Sequence, residues 1–264
     1  MIKIVEKFLL GKNQEQELCE DGIFISNNFI GIIDGVTSKS SQRYEGKTSG
    51  RYARDILLNA LEDIPIHCDS NTALKYLNSK LPKIENILDD RIQAGLILYN
   101  DYKKEIWSYG DCICMIDNML YEVKSEIEGE IIGHRIDFLK QEIKNGKTIN
   151  DLLNNDTGRL HIQDYIKDHW KYANTDHKYG YAVLDGISFN EKLVKIYDVA
   201  NSHEIVLASD GYPFLKNTLS ESENAIQELK DKDPLCMDIF KGSKGFYQNN
   251  NGFDDRAYVR FVIE

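Results

Sequence analysis

At 264 residues the chain is long enough to bury a substantial core, as one large domain or two small ones. With 32 Lys and Arg against 43 Asp and Glu, its formal charge is −11; such a chain repels phosphate backbones, so no nucleic-acid partner is expected. A composition of 42% hydrophobic and 28% charged residues is that of a folded globular protein, not a disordered one.

The first residues, Met1 to Glu17, lack the apolar core and small-residue cleavage site of a signal peptide. No apolar run approaches the roughly 18–20 residues that span a bilayer, so no membrane partner is expected. The five cysteines (Cys19, Cys68, Cys112, Cys114, Cys236) are odd in number and form no CxxC. That pattern fits a reducing compartment, and a cytoplasmic location is expected.

In chain order, Ile2 to Phe8 is apolar-rich with partial alternation and reads as a strand. Gly22 to Ile25 and Phe29 to Ile33 flank the turn residues Ser26-Asn27-Asn28 and read as a hairpin. From about Lys47 to Ile64, apolar residues recur at three- and four-residue steps, which predicts a helix. A second helix is expected from about Thr72 to Leu88, capped by Ser70 or Asn71 and kinked at Pro82. Strands follow at 94–99 and 104–109 around Asn100-Asp101, then at 112–116 and 119–123 around Asp117-Asn118. Cys112 and Cys114 share a strand face and read as small core residues.

The stretch from about Ile127 to His177 is helical and polar. Ile131, Ile132, Ile136, Leu139 and Ile143 suggest one amphipathic helix, and His161 to Trp170 another. Strands return at 193–199, 204–208 and 257–263, with short helices expected at 222–230 and 234–240. No internal repeat or domain boundary is visible. Regular strand–helix alternation is missing, so hairpin-built sheets covered by helices fit better than a doubly wound parallel sheet.

Several aspartates stand at or near strand ends. Asp34-Gly35 closes the run from Ile30, Asp210-Gly211 closes the run from Ile205, Asp111 follows Tyr109-Gly110, and Asp254-Asp255 precedes the last strand. A strand buried on both faces holds its last residue rigidly, and a following Gly lets the backbone turn and its carbonyl approach a cation. Several such ends together make the all-oxygen site preferred by Mg²⁺ or Mn²⁺. Two such ions a few ångströms apart can turn a bridging water into a nucleophile for phosphorus. Asp-Gly alone is a common turn dipeptide, as Asp21-Gly22 and Asp185-Gly186 show. Two copies that each end a five-residue apolar run favour the site reading.

The ordered set Cys19-Glu20-Asp21, Ile32-Ile33-Asp34-Gly35, Tyr109-Gly110-Asp111, Leu207-Ala208-Ser209-Asp210-Gly211 and Asp254-Asp255-Arg256-Ala257-Tyr258-Val259 resembles the signature motifs of the metal-dependent Ser/Thr protein phosphatases of the type-2C (PPM) group. The resemblance covers roughly residues 1 to 263. It implies one domain over residues 1–264, of α+β class: a four-layer α-β-β-α sandwich of two antiparallel sheets flanked by helices; the helical stretch at about 127–177 is unlike the family's usual intervening segment and reads as an insert. It implies two or three Mg²⁺ or Mn²⁺ ions. Asp34 would bridge two of them, Gly35 and Glu20 or Asp21 would serve one, Asp210 and Asp254 the other, and Asp111 a weaker third. Asp34 and Asp210 would act catalytically through metal-bound water. Asp254 is preferred to Asp255, because the second position often holds Asn or Asp in the family.

The sequence departs from the family after Asp34-Gly35, where Val36-Thr37-Ser38-Lys39 stands for His or Met followed by Gly-Gly. The family's phosphate-binding Arg is absent, with Gln16 nearby; Lys12, Lys39, Arg43 and Lys47 are the candidate substitutes. The helical insert reads as a flap or specificity element, from which His161 or His177 could act as general acid if it folds over the metals. Glu45-Gly46-Lys47-Thr48 lacks the upstream Gly of a phosphate loop. The implied function is a phosphoserine/phosphothreonine protein phosphatase. The alternatives are a phosphatase of a small phosphorylated metabolite and a catalytically weak binding or regulatory module of the same fold.

Overall fold

The computed structural model describes residues 2–13, 15–37, 41–84 and 91–263. Its strands form two five-stranded sheets. One runs, in spatial order, β1 (Ile2–Leu10), β10 (Arg256–Ile263), β9 (Glu204–Ala208), β6 (Ile113–Ile116) and β7 (Met119–Tyr121). The other runs β2 (Gly22–Ile25), β3 (Phe29–Gly35), β4 (Ala94–Asn100), β5 (Glu105–Tyr109) and β8 (Lys195–Asp198). Every pairing is antiparallel. The expected hairpins form. Asp117 and Asn118 take φ of 46° and 72°, the left-handed pair that a two-residue turn between twisted strands demands.

The two sheets pack face to face through Ile30, Ile32, Ile97 and Tyr99 on one side and Cys114, Ile205, Leu207, Val259 and Phe261 on the other. Cys112 and Cys114 are buried in this layer as free thiols, as expected of core residues. The alternate residues Ile33, Leu96, Leu98 and Trp107 point outward against α1 (Ser49–Leu61) and α2 (Ser70–Lys80). On the far side Val206, Ala208 and Tyr258 meet Ile226 and Leu229 of α7 (Leu219–Lys232). Helices, sheet, sheet and helix are thus stacked in four layers.

Some boundaries differ from expectation. Thr48 caps α1, and Asp69, not Ser70 or Asn71, caps α2 by accepting the Thr72 N–H at 2.9 Å. Pro82 ends α2 instead of kinking it: Leu81 is already extended, the conformation forced on a residue before proline. Leu88 lies outside the described residues. Residues 234–240 form no helix, because the Asp233 carboxylate accepts the N–H groups of Met237, Asp238 and Ile239 at 3.0, 2.9 and 2.8 Å. Those bonds substitute for a helical ladder. The helical block is four pieces: α3 (Glu126–Lys144), α4 (Ile149–Asn154), α5 (Thr157–His161) and α6 (Gln163–His169). Ile131, Ile136 and Leu139 of α3 are buried as expected, Ile143 is exposed, and the fully buried Arg135 sits on the same apolar face.

Candidate metal centre

The strand-end aspartates meet at one edge of the sandwich. β3 delivers Asp34, and Gly35 after it lies where a Cβ would fall 2.5 Å from the Gly50 carbonyl oxygen and 2.6 Å from that of Glu20. β9 runs into Asp210, and a Cβ on Gly211 would fall 2.0 Å from the Asp255 carbonyl oxygen. Each glycine therefore lets one acid-bearing loop close on the backbone of another. Close approach, not a sharp turn, is why Gly follows these aspartates. The Asp210 N–H points at Asp34 Oδ2 at 3.4 Å, at the long end of a hydrogen bond.

A cleft of about 810 Å³ opens over them, lined by Asp21, Asp34, Gly35, Asp111, Asp210 and Asp254. Of the expected residues, Glu20 alone stands outside the lining, although its buried side chain reaches Lys12 Nζ at 3.3 Å. Glu20 Oε1 and Asp21 Oδ2 are buried and accept no hydrogen bond.

Burial, and then crowding by like charges, raises most of these carboxyls. Burial, then the like charges of Asp21, Asp210 and Asp111, holds Asp34 well above the usual range. Burial and then Asp255, Asp254 and Asp210 do the same to Asp21, against a lowering hydrogen bond from Ser209. Asp210, which keeps solvent contact, is pushed up to about 7 by partial desolvation, then by Asp111 and Asp254. Asp111 rises to about 6 through the same desolvation, then Glu128 and Asp254. Asp254 goes the other way: burial would raise it, but Lys12 and Lys244 outweigh that and hold it far below the usual range.

Asp254 and Asp255 have different jobs. Asp255 accepts the backbone N–H of Lys12 at 2.6 Å and of Glu20 at 3.0 Å, fastening the loop after β1 to the start of β10. Asp254 is bonded by the ammonium groups of Lys12, at 2.8 Å, and Lys244. Among the described residues, no three His, Cys, Asp or Glu side chains already form a finished cation cage.

Of the four cations weighed for the phosphate, Lys12 lies in the cleft. Lys47 pairs with Asp55 at 2.9 Å, Arg43 bonds the Gln42 carbonyl, and Lys39 lies outside the described residues. Gln16 instead accepts the Gly11 N–H at 2.8 Å. Glu45 and Gly46 form a tight turn with φ of 51° and 79°. Neither candidate histidine lines the cleft; His161 stacks on Phe138 and His177 on Tyr172. The helical block does reach over the acids, but through Glu128 of α3 and Arg159 of α5. With Lys244 these complete a wall that sequence reasoning missed. Gly242-Ser243-Lys244-Gly245 reads as a loop, and nothing in its local pattern aims the lysine.

No family profile and no curated protein matches the sequence. Solved structures do. A bacterial serine phosphatase superposes with a TM-score of 0.50 at 14% identity, over 100% of this chain and 98% of that one. The serine/threonine phosphatase Stp1 of Staphylococcus aureus gives 0.49 at 14% identity, over 100% and 96%. PstP of Mycobacterium tuberculosis gives 0.46 at 14% identity, over 100% and 97%. At such identities the likeness is one of fold. With its two facing antiparallel sheets and flanking helices, the chain has the PPM phosphatase fold.

Proposed function

We propose that this chain is a divalent-metal-dependent phosphomonoesterase acting on phosphoserine or phosphothreonine in proteins. One observation carries the reading: aspartates from five separate segments line one cleft, beside cations that include Lys12, Lys244 and Arg159. Aspartates raised by burial and by mutual repulsion are an unfavourable arrangement that a hard cation relieves. The buried, unpartnered oxygens of Glu20 and Asp21 fit the same donor set.

Asp34, Asp210 and Asp254, with the Gly35 carbonyl, would hold the principal ions; Asp21, Glu20 and Asp111 would complete their surroundings. When bound, Mg²⁺ or Mn²⁺ supplies positive charge against the phosphoryl oxygens and acidifies a water near neutral pH. Lys12, Lys244 and Arg159 offer charged donors to the phosphoryl group, in place of the arginine missing near Gln16. A second reading, a small phosphorylated metabolite as substrate, is favoured by the wall that α3 and α5 raise on one side of the cleft. No helix among the described residues is long and apolar enough to cross a membrane, and all five cysteines are free, which supports a reducing, cytoplasmic setting.

The test is hydrolysis of p-nitrophenyl phosphate with Mn²⁺, with Mg²⁺ and with EDTA. Metal-dependent release that disappears in Asp34→Asn is the expected result. No release from folded protein in any metal would overturn the reading in favour of a binding module. Parallel phosphopeptide and phosphometabolite panels decide between the two substrate classes.

A further inference from the structure

Arg135 is 0% exposed, a guanidinium placed on the apolar face of α3. An apolar side chain would fill such a position without the cost of desolvating a charge. Its donors reach well beyond its own helix. Nη1 donates to the Leu235 carbonyl at 2.9 Å and the Gly242 carbonyl at 3.0 Å, and Nη2 to Asp156 Oδ2 at 2.7 Å. Asp156 passes the connection on. The same Oδ2 accepts the Gly245 N–H at 3.1 Å, and its Oδ1 accepts the Arg159 N–H at 2.8 Å. Arg159 closes the circuit by donating to the Ser243 carbonyl at 3.2 Å.

One buried ion pair thus grips the loop on both sides of Lys244, at Gly242 and Gly245, and the backbone of Arg159. Lys244 and Arg159 both line the cleft, as Lys124 and Lys241 also do. Lys244 bonds Asp254 and lies 5.2 Å from the centre of the Phe253 ring.

We propose that Arg135 is a positioning residue that locks the helical block and the 234–246 loop into one piece, fixing Lys244 and Arg159 on the cleft wall and so setting the affinity for the substrate's phosphate. What the two cations bind rests on the phosphatase reading; how they are held does not.

Two measurements separate these claims. The first is acylation of the Lys244 amine by an N-hydroxysuccinimide ester, followed by peptide mass spectrometry, with the exposed Lys75 as internal reference. In folded Arg135→Gln and Asp156→Asn, Lys244 should react about tenfold faster than in the parent chain, with Lys75 unchanged and Arg135→Lys in between. The second is the inhibition constant of inorganic phosphate, with KM and kcat for p-nitrophenyl phosphate. The same variants should weaken phosphate and raise KM about tenfold while kcat stays within about threefold.

Unchanged Lys244 reactivity and phosphate affinity in a folded Arg135→Gln protein would overturn the proposal. If that variant does not fold, Lys244→Gln and Arg159→Gln decide: the proposal falls if neither weakens phosphate. If the parent chain hydrolyses no phosphomonoester, the phosphatase reading fails, and the acylation rates still test the lock.

Discussion

Lys12 and Asp254 stand 242 positions apart in the chain, yet Lys12 Nζ lies 2.8 Å from Asp254 Oδ1. The same ammonium donates to Thr37 Oγ1 at 2.7 Å and to Glu20 at 3.3 Å. Burial would lower the Lys12 pKa, but Asp254, Glu20 and Asp255 together hold it well above its usual value. Lys12 is therefore an internal counter-ion of the acidic cleft.

Replacing it should have opposite effects in two media. In EDTA, Lys12→Met should lower stability by about 2 kcal/mol, less than the 3–5 typical of a fully buried pair because both partners keep some solvent contact. With Mn²⁺ it should recover more melting temperature than the parent chain does, since a competing cation has gone. Thermal melts with and without Mn²⁺ check this, and equal metal-induced shifts in both proteins would refute it.

The neighbouring aspartates should respond differently to the same change. Asp254→Asn should weaken Mn²⁺ binding by calorimetry while the metal-free fold survives. Asp255→Asn weakens the carboxylate that fastens Lys12 and Glu20, and should cost about 1–3 kcal/mol of stability in EDTA. If Asp255→Asn instead leaves stability intact and abolishes cation binding, the roles are reversed.

Asp34 feels the like charges of Asp21, Asp210, Asp111 and Asp254. Asp34→Asn should raise the melting temperature in EDTA by removing a repelled charge. It should also cut metal-dependent turnover by roughly a thousandfold, the upper range for losing one electrostatic element of an active site. A destabilised or still active variant would contradict the placement of Asp34 at the centre of the cluster.

The pH dependence has a definite sign. Asp111 and Asp210 rise to about 6 and about 7 in the folded chain, above an unfolded value of roughly 3.9. The native state therefore binds more protons, so the contribution of these groups is fully present below the unfolded value and is lost as pH climbs through 6 and 7. In EDTA the melting temperature should fall between pH 5 and 8, and millimolar Mg²⁺ should flatten the slope. A melting temperature that climbs with pH in EDTA would refute the clustering.

The legible parts of this chain were those written locally. Asp117-Asn118 between two apolar runs prescribes a hairpin, and the β3 and β9 runs ending in Asp-Gly mark the floor of the cleft. Other features depend on partners far along the chain. The Asp233 carboxylate takes backbone donors that an apolar-looking stretch would otherwise use for a helix. Lys244, Arg159 and Glu128 acquire their positions from contacts among α3, α5 and a loop, so no spacing in the sequence announces them. Arg135 is the sharpest case, because helical periodicity places it on a buried face without revealing that carbonyls wait there for its charge.

The pairing of β10 with both β1 and β9 has a consequence for how the molecule is made. Asp254 and Asp255 lie immediately before β10, whereas their partners Lys12 and Glu20 follow β1. Contacts between the two ends of the chain thus complete the cleft, and contacts of such separation form slowly. During synthesis, most of the acids would emerge well before the strand that gathers them. Capacity to hold a cation should therefore appear late and all at once, making ion binding a report on whether the last strand has docked.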